Sequence, residues 1–95
     1  MSDWSPVKPV TPEVNNICLQ VKPQVEGMAA ANFAVYTPLD FISNDADGVN
    51  YTYIVKVGVD GDQSVHAKIS QAGGGEVNLE TIHYPKNMDV PLVPF

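Results

Sequence analysis

The sequence predicts an α+β fold in which one long helix packs across an antiparallel sheet of four to five strands. Apolar residues first recur at steps of three and four, between residues 14 and 28, which indicates one face of a helix. From residue 33 onward they alternate at steps of two, which is typical of strands. Short segments rich in Gly, Asn and Asp separate these stretches and predict hairpin turns.

The predicted helix begins at Thr11, a hydroxyl N-cap, and Pro12 occupies its first helical position. Pro23 interrupts the helical pattern and is expected to kink or loosen one turn. Cys18 lies beside the apolar stripe, which favours a buried, inert thiol over a nucleophile that acts with a histidine. The stripe itself consists of Val14, Ile17, Val21, Val25 and Met28.

Four alternating stretches predict the strands of the sheet, at residues 33–41, 51–59, 65–69 and 77–84. Turns are expected between them, at residues 43–48, 60–62 and 73–75. Pro38 cannot donate a hydrogen bond to a neighbouring strand, so it requires an edge position or a bulge. The apolar face of this sheet should pack on the stripe of the helix.

Residues 1–10 contain two prolines and no periodic apolar pattern. They are predicted to form an extended, mobile arm that can add an edge strand to the sheet. Trp4 is the unusual residue of this arm, and two interpretations of it stay open. It is either an anchor for a partner protein or a plug that folds against its own domain.

The composition excludes several classes of function. The chain of 95 residues is expected to form a single domain, and its net charge is -6, with five scattered lysines and no arginine. Nucleic acid and anionic membrane surfaces would repel such a chain. A single cysteine excludes an intrachain disulfide, and no signal peptide or membrane span is recognised, so a cytoplasmic location is expected.

Motifs for metals, phosphates and catalysis are incomplete. The acidic turns at residues 45–48 and 60–62 lack the Glu that a calcium loop needs at its last position. Gly73–Gly75 is not followed by the Lys of a phosphate-binding loop. His66 and His83 lack partners at metal-ligand spacing, and His66 is predicted to be a surface or hydrogen-bonded histidine. We therefore predict no cofactor, no metal site, no catalytic residue and no enzyme.

Four segments carry a likeness to a known family: Lys8–Glu13, Val21–Glu26, Gly48–Val57 and Val65–Ile69. Their order and spacing, together with the short tail ending at Phe95, resemble those of the stefins, the intracellular branch of the cystatin family. The resemblance covers nearly the whole chain from Lys8. It implies a cystatin-like fold and reversible inhibition of papain-like cysteine proteases.

In that family, three segments at one end of the molecule form a wedge that fills the protease cleft. The resemblance implies protease-binding roles for the start of the arm and for two hairpin loops, which we call the first loop (residues 44–48) and the second loop (residues 72–75). The residues are Ser2, Asp3, Trp4, Asn44, Asp45, Ala46, Asp47, Gly48, Ala72, Gly73, Gly74 and Gly75.

These segments depart from the family pattern. The first loop reads Asn-Asp-Ala-Asp-Gly where the family has Gln-Val-Val-Ala-Gly, so only Gly48 matches. Burying its carboxylates in an apolar cleft would cost on the order of several kcal/mol. The arm lacks the family's glycine, and the second loop lacks its Leu-Pro. A weakened inhibitor is therefore predicted. The alternative is a non-inhibitory cystatin-fold binding module or an engineered display scaffold.

The predicted oligomeric state follows from the same resemblance. Stefins are prone to exchange their helix and first strands, with the first loop as the hinge. We therefore expect a monomer, with a domain-swapped dimer as a further possibility.

Overall fold

The computed structural model describes residues 4–45, 50–73 and 75–95. Its elements, in chain order, are β1 (Lys8–Pro9), α1 (Pro12–Gln20), α2 (Lys22–Ala29), β2 (Tyr36–Asp45), β3 (Tyr51–Val59), β4 (Gln63–Gln71) and β5 (Val77–Asn87). The five strands form one antiparallel sheet in the order β1-β2-β3-β4-β5. The helices pack against one face of it, which confirms the predicted α+β, cystatin-like fold.

The helical segment is divided in two at Val21, whose backbone angles are φ -94° and ψ 1°. Pro23 explains the break, because it has no N–H and its ring conflicts with the carbonyl group four residues earlier. The predicted loosening at this proline is confirmed, although it produces two consecutive helices instead of one. The predicted N-cap is also confirmed, since the hydroxyl of Thr11 accepts a hydrogen bond from the Val14 N–H at 3.2 Å.

The core between helices and sheet, called here the helix-side core, uses the residues that the two periodicities indicate. From the helices it takes Val14, Ile17, Cys18, Val21 and Val25, and from the central strands Tyr53, Val55, Val57, Val59, Val65, Ala67 and Ile69. Met28 is the exception. It lies in the last turn of α2 and is 51% exposed, so its predicted place in the buried stripe is wrong.

The strand predicted to start at Phe33 starts instead at Tyr36. The backbone N–H groups of residues 33–35 bond to side-chain carboxylates and not to a neighbouring strand. The Phe33 N–H donates to Glu26 Oε2 at 2.8 Å, and the next two donate to the Asp60 carboxylate at 3.0 and 2.6 Å. Because these donors are satisfied by side chains, the segment needs no strand partner and stays irregular.

Other strand ends also differ from the predicted ones, and β4 runs from Gln63 to Gln71 where residues 65–69 are predicted. Residues 43–45, expected in a turn, are the last residues of β2 and pair with β3. β5 runs on to Asn87, three residues beyond its predicted end. The bulge expected at Pro38 is confirmed by a register shift between Pro38 and Asp40. The turn at residues 60–62 is confirmed, with positive φ angles of 77° at Gly61 and 57° at Asp62.

The opposite face of the sheet carries a second, smaller group of apolar residues, called here the outer cluster. Its buried members are Ile42, Ile54 and Leu92, and Trp4 and Phe95 pack against them as partly buried residues. The two isoleucines point away from the helices because their neighbours in β2 and β3 belong to the helix-side core. Trp4 is therefore folded against its own domain, the second of the two arrangements considered for it.

The last segment of the chain, residues 88–95, is called here the tail, and its end lies over β4 and β5. The Lys68 ammonium group donates to the backbone oxygen of Phe95 at 2.7 Å. The Phe95 ring stacks on His83 with ring centroids 3.8 Å apart. At the free edge of the sheet, the Leu79 N–H of β5 donates to Gln24 Oε1 of α2 at 3.3 Å.

Candidate functional site

The arm lies along β2. The first part of the candidate site is at the start of the arm, beside the carboxyl end of β2. Lys8 pairs with Phe41 in antiparallel register, so the chain before it runs toward the carboxyl end of β2. There the Ser5 N–H donates to the Ser43 carbonyl oxygen at 2.8 Å, and the Ser43 N–H donates to Ser5 Oγ at 3.0 Å. The sequence predicts a mobile arm, and in the structure these bonds hold it to the sheet.

The first loop leaves the sheet next to this contact. Asn44 and Asp45 are its first residues, and they still pair with β3, opposite Thr52 and Tyr51. Asp45 is exposed and Asn44 half-buried. The chain returns at Asn50, and residues 46–49 between them are outside the described part of the structure. The predicted loop therefore presents its first two residues from a paired strand.

The second loop is closed by its own backbone. The Ala72 N–H donates to the Glu76 carbonyl oxygen, and the Gly75 N–H donates to the Ala72 carbonyl oxygen, both at 2.8 Å. Gly75 has a φ angle of 92°, which residues other than glycine rarely adopt. The Gly73 N–H donates to Asn50 Oδ1 at 3.2 Å. This bond connects the second loop to the chain that follows the first loop.

These contacts bring the start of the arm and the ends of both loops to one end of the sheet, called here the binding end. Pairing of Asp45 with Tyr51, and of Tyr51 with Gln71, places the loops on neighbouring strand ends. Tyr51 itself is 38% exposed there and stacks on Tyr53 with centroids 6.3 Å apart. Tyr51 alternates in step with Tyr53 and Val55, a pattern that predicts a packed strand face, and its exposure at this end differs from that prediction.

The predicted site residues divide into two groups. Trp4, Asn44, Asp45, Ala72, Gly73 and Gly75 are described and belong to the three segments at the binding end. Ser2, Asp3, Ala46, Asp47, Gly48 and Gly74 lie outside the described residues. Sequence reasoning missed the residues that join the segments, namely Ser5, Ser43 and Asn50, because no pattern links such distant polar positions.

The reactive side chains of the chain lie elsewhere. Cys18 belongs to the helix-side core and is 0% exposed, and burial raises its pKa to about 12. The thiol therefore stays protonated at neutral pH, as the prediction of a buried and inert cysteine requires. Tyr36 donates its hydroxyl to the Cys18 carbonyl oxygen at 2.9 Å, and burial raises the pKa of this tyrosine as well.

His66 lies on the other face of the sheet from Cys18, because Val65 and Ala67 beside it face the helices. A surface or hydrogen-bonded histidine is predicted, and at 2% exposure the surface alternative is wrong. Burial, with smaller contributions from Lys86, Lys56 and His83, lowers its pKa to about 4. Its Nε2 atom has no hydrogen-bond partner among the described residues. The imidazole is therefore neutral at pH 7, and the sheet separates it from the only thiol.

Two further findings concern the residues that the structure describes. None of their groups of His, Cys, Asp and Glu side chains could hold a metal ion. Neither helix is long and apolar enough to cross a membrane.

Comparison with known proteins gives relatives of one kind. No protein-family model matches the chain. The chain is 30% identical to a cystatin-A of Mus musculus over 80 residues, which are 84% of the chain and 80% of that protein. It is 27% identical to a cystatin-B of Oplegnathus fasciatus over 86 residues, or 87% of the chain and 84% of the relative. A leukocyte cysteine proteinase inhibitor 1 of Sus scrofa is 32% identical over 65 residues, which are 68% of the chain and 61% of that protein.

Proposed function

The chain belongs to the stefin-type cystatin family, and we propose on that premise that it is a reversible protein inhibitor of papain-like cysteine proteases, with a weakened binding end. Members of this family are inhibitors and not enzymes, so the prediction that the chain is not an enzyme is confirmed. The observation that carries the proposal is the convergence of the arm and both loops at the binding end, through hydrogen bonds at Ser43 and Asn50.

In this proposal three segments meet the protease cleft: residues 2–4 of the arm, with the Trp4 side chain packed in the outer cluster, the first loop and the second loop. The second loop offers backbone groups and small side chains, and its two internal hydrogen bonds support the proposal because they order it before binding. An ordered loop loses less conformational entropy when it docks, and affinity rises accordingly. The triglycine segment therefore costs less on binding than its composition alone predicts.

The proposed weakness rests on the first loop. Asp45 is exposed at the end of β2, where docking would remove its carboxylate from water. Desolvating a carboxylate without a new partner costs on the order of several kcal/mol. The second candidate function, a non-inhibitory binding module or engineered display scaffold on the same fold, is favoured by this same acidic residue. A cytoplasmic location and a monomer that can form a domain-swapped dimer belong to the proposal as well.

Titration against papain, with hydrolysis of a fluorogenic substrate as the readout, tests the proposal. We expect complete and reversible inhibition with a dissociation constant of about 1 μM, a standard binding free energy of about -8 kcal/mol. No inhibition by a folded monomer at about 100 μM, where binding free energies weaker than about -5 kcal/mol go undetected, would favour the second candidate.

A charge-matched pair of variants locates the binding end. Asp45→Ala should lower the dissociation constant at least about a hundredfold, because the cost of several kcal/mol for desolvating the carboxylate is removed. Asp89→Ala removes the same charge from the exposed turn after β5, and we expect no change beyond about twofold. An equal gain from both variants would indicate a general charge effect and would exclude the first loop as the source of weakness.

A further inference from the structure

We propose that the tail positions the arm for protease binding, by holding the Trp4 side chain in the outer cluster. Leu92 and Phe95 are the positioning residues. The protease part of this inference rests on the proposed function, whereas the contact between tail and arm can be tested without any protease.

The outer cluster depends on the tail for its closure. The sheet contributes only Ile42 and Ile54 to it. The arm itself joins the sheet through β1, which has just two residues. Leu92 is buried in the cluster, and Phe95 packs against it together with Trp4. Without the tail, the buried group against which Trp4 packs would consist of the two isoleucines of the sheet.

The tail itself is fixed at a place that does not involve the arm. The Lys68 ammonium group of β4 donates to the backbone oxygen of Phe95 at 2.7 Å. The Phe95 ring stacks on His83 of β5, with centroids 3.8 Å apart and an angle of 22° between the planes. The two anchors lie on β4 and β5 and hold the tail in place, so that the arm can pack against it.

Trp4 directly precedes the residue that binds the arm to the binding end. Ser5 exchanges two hydrogen bonds with Ser43, and Ser43 is followed at once by Asn44 and Asp45 of the first loop. A contact that immobilises Trp4 therefore fixes the described end of the arm beside the first loop. Ordering a backbone segment costs conformational entropy, and a tail that supplies this order in the free protein leaves less entropy to be lost on binding.

The chain offers its own probe and its own control. Trp4 is the only tryptophan, so the emission maximum of the protein reports on the surroundings of this side chain. Val93 belongs to the same tail as Leu92 and is 56% exposed, so Val93→Ala shortens the tail's side chains without touching the cluster. Phe95→Ala is a second test variant that removes only a ring near the surface and should not affect folding.

The first measurement is the emission of Trp4 in folded variants. Leu92→Ala and Phe95→Ala should shift the maximum to longer wavelength, because the indole becomes more exposed to water, while Val93→Ala should leave it unchanged. An unshifted maximum in both test variants would show that the tail does not hold Trp4, and this would overturn the inference whether or not the chain inhibits proteases.

The second measurement is inhibition of papain in a double-mutant cycle. Leu92→Ala should raise the dissociation constant about tenfold in the wild-type background and less than about twofold in a Trp4→Ala background, because the tail acts through Trp4. The same rise in both backgrounds would mean that the tail acts by another route and would overturn the positioning role. If the wild-type protein itself fails to inhibit papain, the proposed function and the positioning role fail together, and the emission shift alone decides whether tail and arm are coupled.

Discussion

The helix-side core and the outer cluster cover opposite faces of one sheet, and they are built from different kinds of segment. The helix-side core joins two helices to three strands, all with regular periodicity. The outer cluster joins two strand residues to the arm and the tail, neither of which has any apolar period. The comparison shows that a single sheet can have one face closed by regular structure and the other by the two chain segments that flank it.

The two regions should also differ in how easily they open. Regular elements bury many side chains together, whereas the arm and tail cover the outer cluster with few contacts of their own. Segments with few buried apolar contacts open at a lower free energy than the core. The outer cluster is therefore expected to be the less stable of the two.

The largest expected effect uses the one cysteine and the one tryptophan, which report on different regions. Burial raises the pKa of Cys18 from 9.0 to about 12, so its thiolate fraction at neutral pH falls about a thousandfold. Reaction with a chromogenic aromatic disulfide should be slower by at least this factor in the native protein than in the denatured protein. As urea is raised, the emission of Trp4 should shift at concentrations at which Cys18 is still protected.

Coincident urea dependences of the two probes would contradict this difference, since they would show that both faces open in one step. Fast reaction of Cys18 in the native protein would contradict the burial that the helix-side core provides.

Substitutions at two isoleucines compare the stability of the two regions directly. Ile69 in the helix-side core and Ile54 in the outer cluster are both 0% exposed and lie on neighbouring strands. Ile69→Ala should lower the free energy of unfolding by about 4 kcal/mol, because helices and sheet cannot close the cavity. Ile54→Ala should cost about 2 kcal/mol, because the arm and tail can move into the space. Urea denaturation measures both, and an equal or larger loss in Ile54→Ala would break the comparison.

A further prediction concerns acid and His66, which lies on the outer face. Its pKa falls from 6.5 in the unfolded chain to about 4 in the folded protein, through burial above all. The folded protein therefore holds a neutral imidazole, and the unfolded chain takes up the proton first as pH falls. The resulting stability is present in full above pH 6.5 and is lost as pH falls through about 4.

The groups that face His66 are Lys56 of β3 and His83 and Lys86 of β5, all of which favour the neutral form. The expected loss between pH 7 and pH 4 is about 3 kcal/mol, in addition to what the carboxylates contribute. His66→Leu removes it, and since Nε2 has no hydrogen-bond partner in the part of the chain that the structure describes, this variant should be no less stable at pH 7. If the free energy of unfolding changes with pH in the same way in the wild type and in the variant, the prediction of a buried neutral histidine is contradicted.

The same contrast explains how much of the fold could be predicted. The helix N-cap, the loosening at Pro23 and the bulge at Pro38 follow from local chemistry, and the helix-side core follows from two periods. The outer cluster could not be found in this way, because Ile54 stands on the phase of β3 that the alternation assigns to the other face, and Leu92 stands in a segment without a pattern. Its closure depends on which distant segments meet, and no local signal carries that information.

For the candidate site, the sequence supplied the segments and the structure supplied their connections. The resemblance placed both loops and the start of the arm in one functional end. It could not show that Asn44 and Asp45 remain paired in β2, or that Ser5 and Asn50 bind the segments together. Each of these contacts has a backbone group, which all residues share, as at least one partner, so side-chain patterns alone do not reveal them.

The hydrogen bond from Leu79 to Gln24 matters for how copies of this protein behave beside one another. β5 is an edge strand of 11 residues, and an open edge of that length invites edge-to-edge aggregation with another chain. Here α2 occupies the Leu79 N–H, Pro85 has no N–H to offer, and the pairing with β4 shifts register twice. A strand from another chain would meet an interrupted row of N–H donors along β5. The contact from α2 therefore opposes strand addition, and with it fibre growth, at this edge of the sheet.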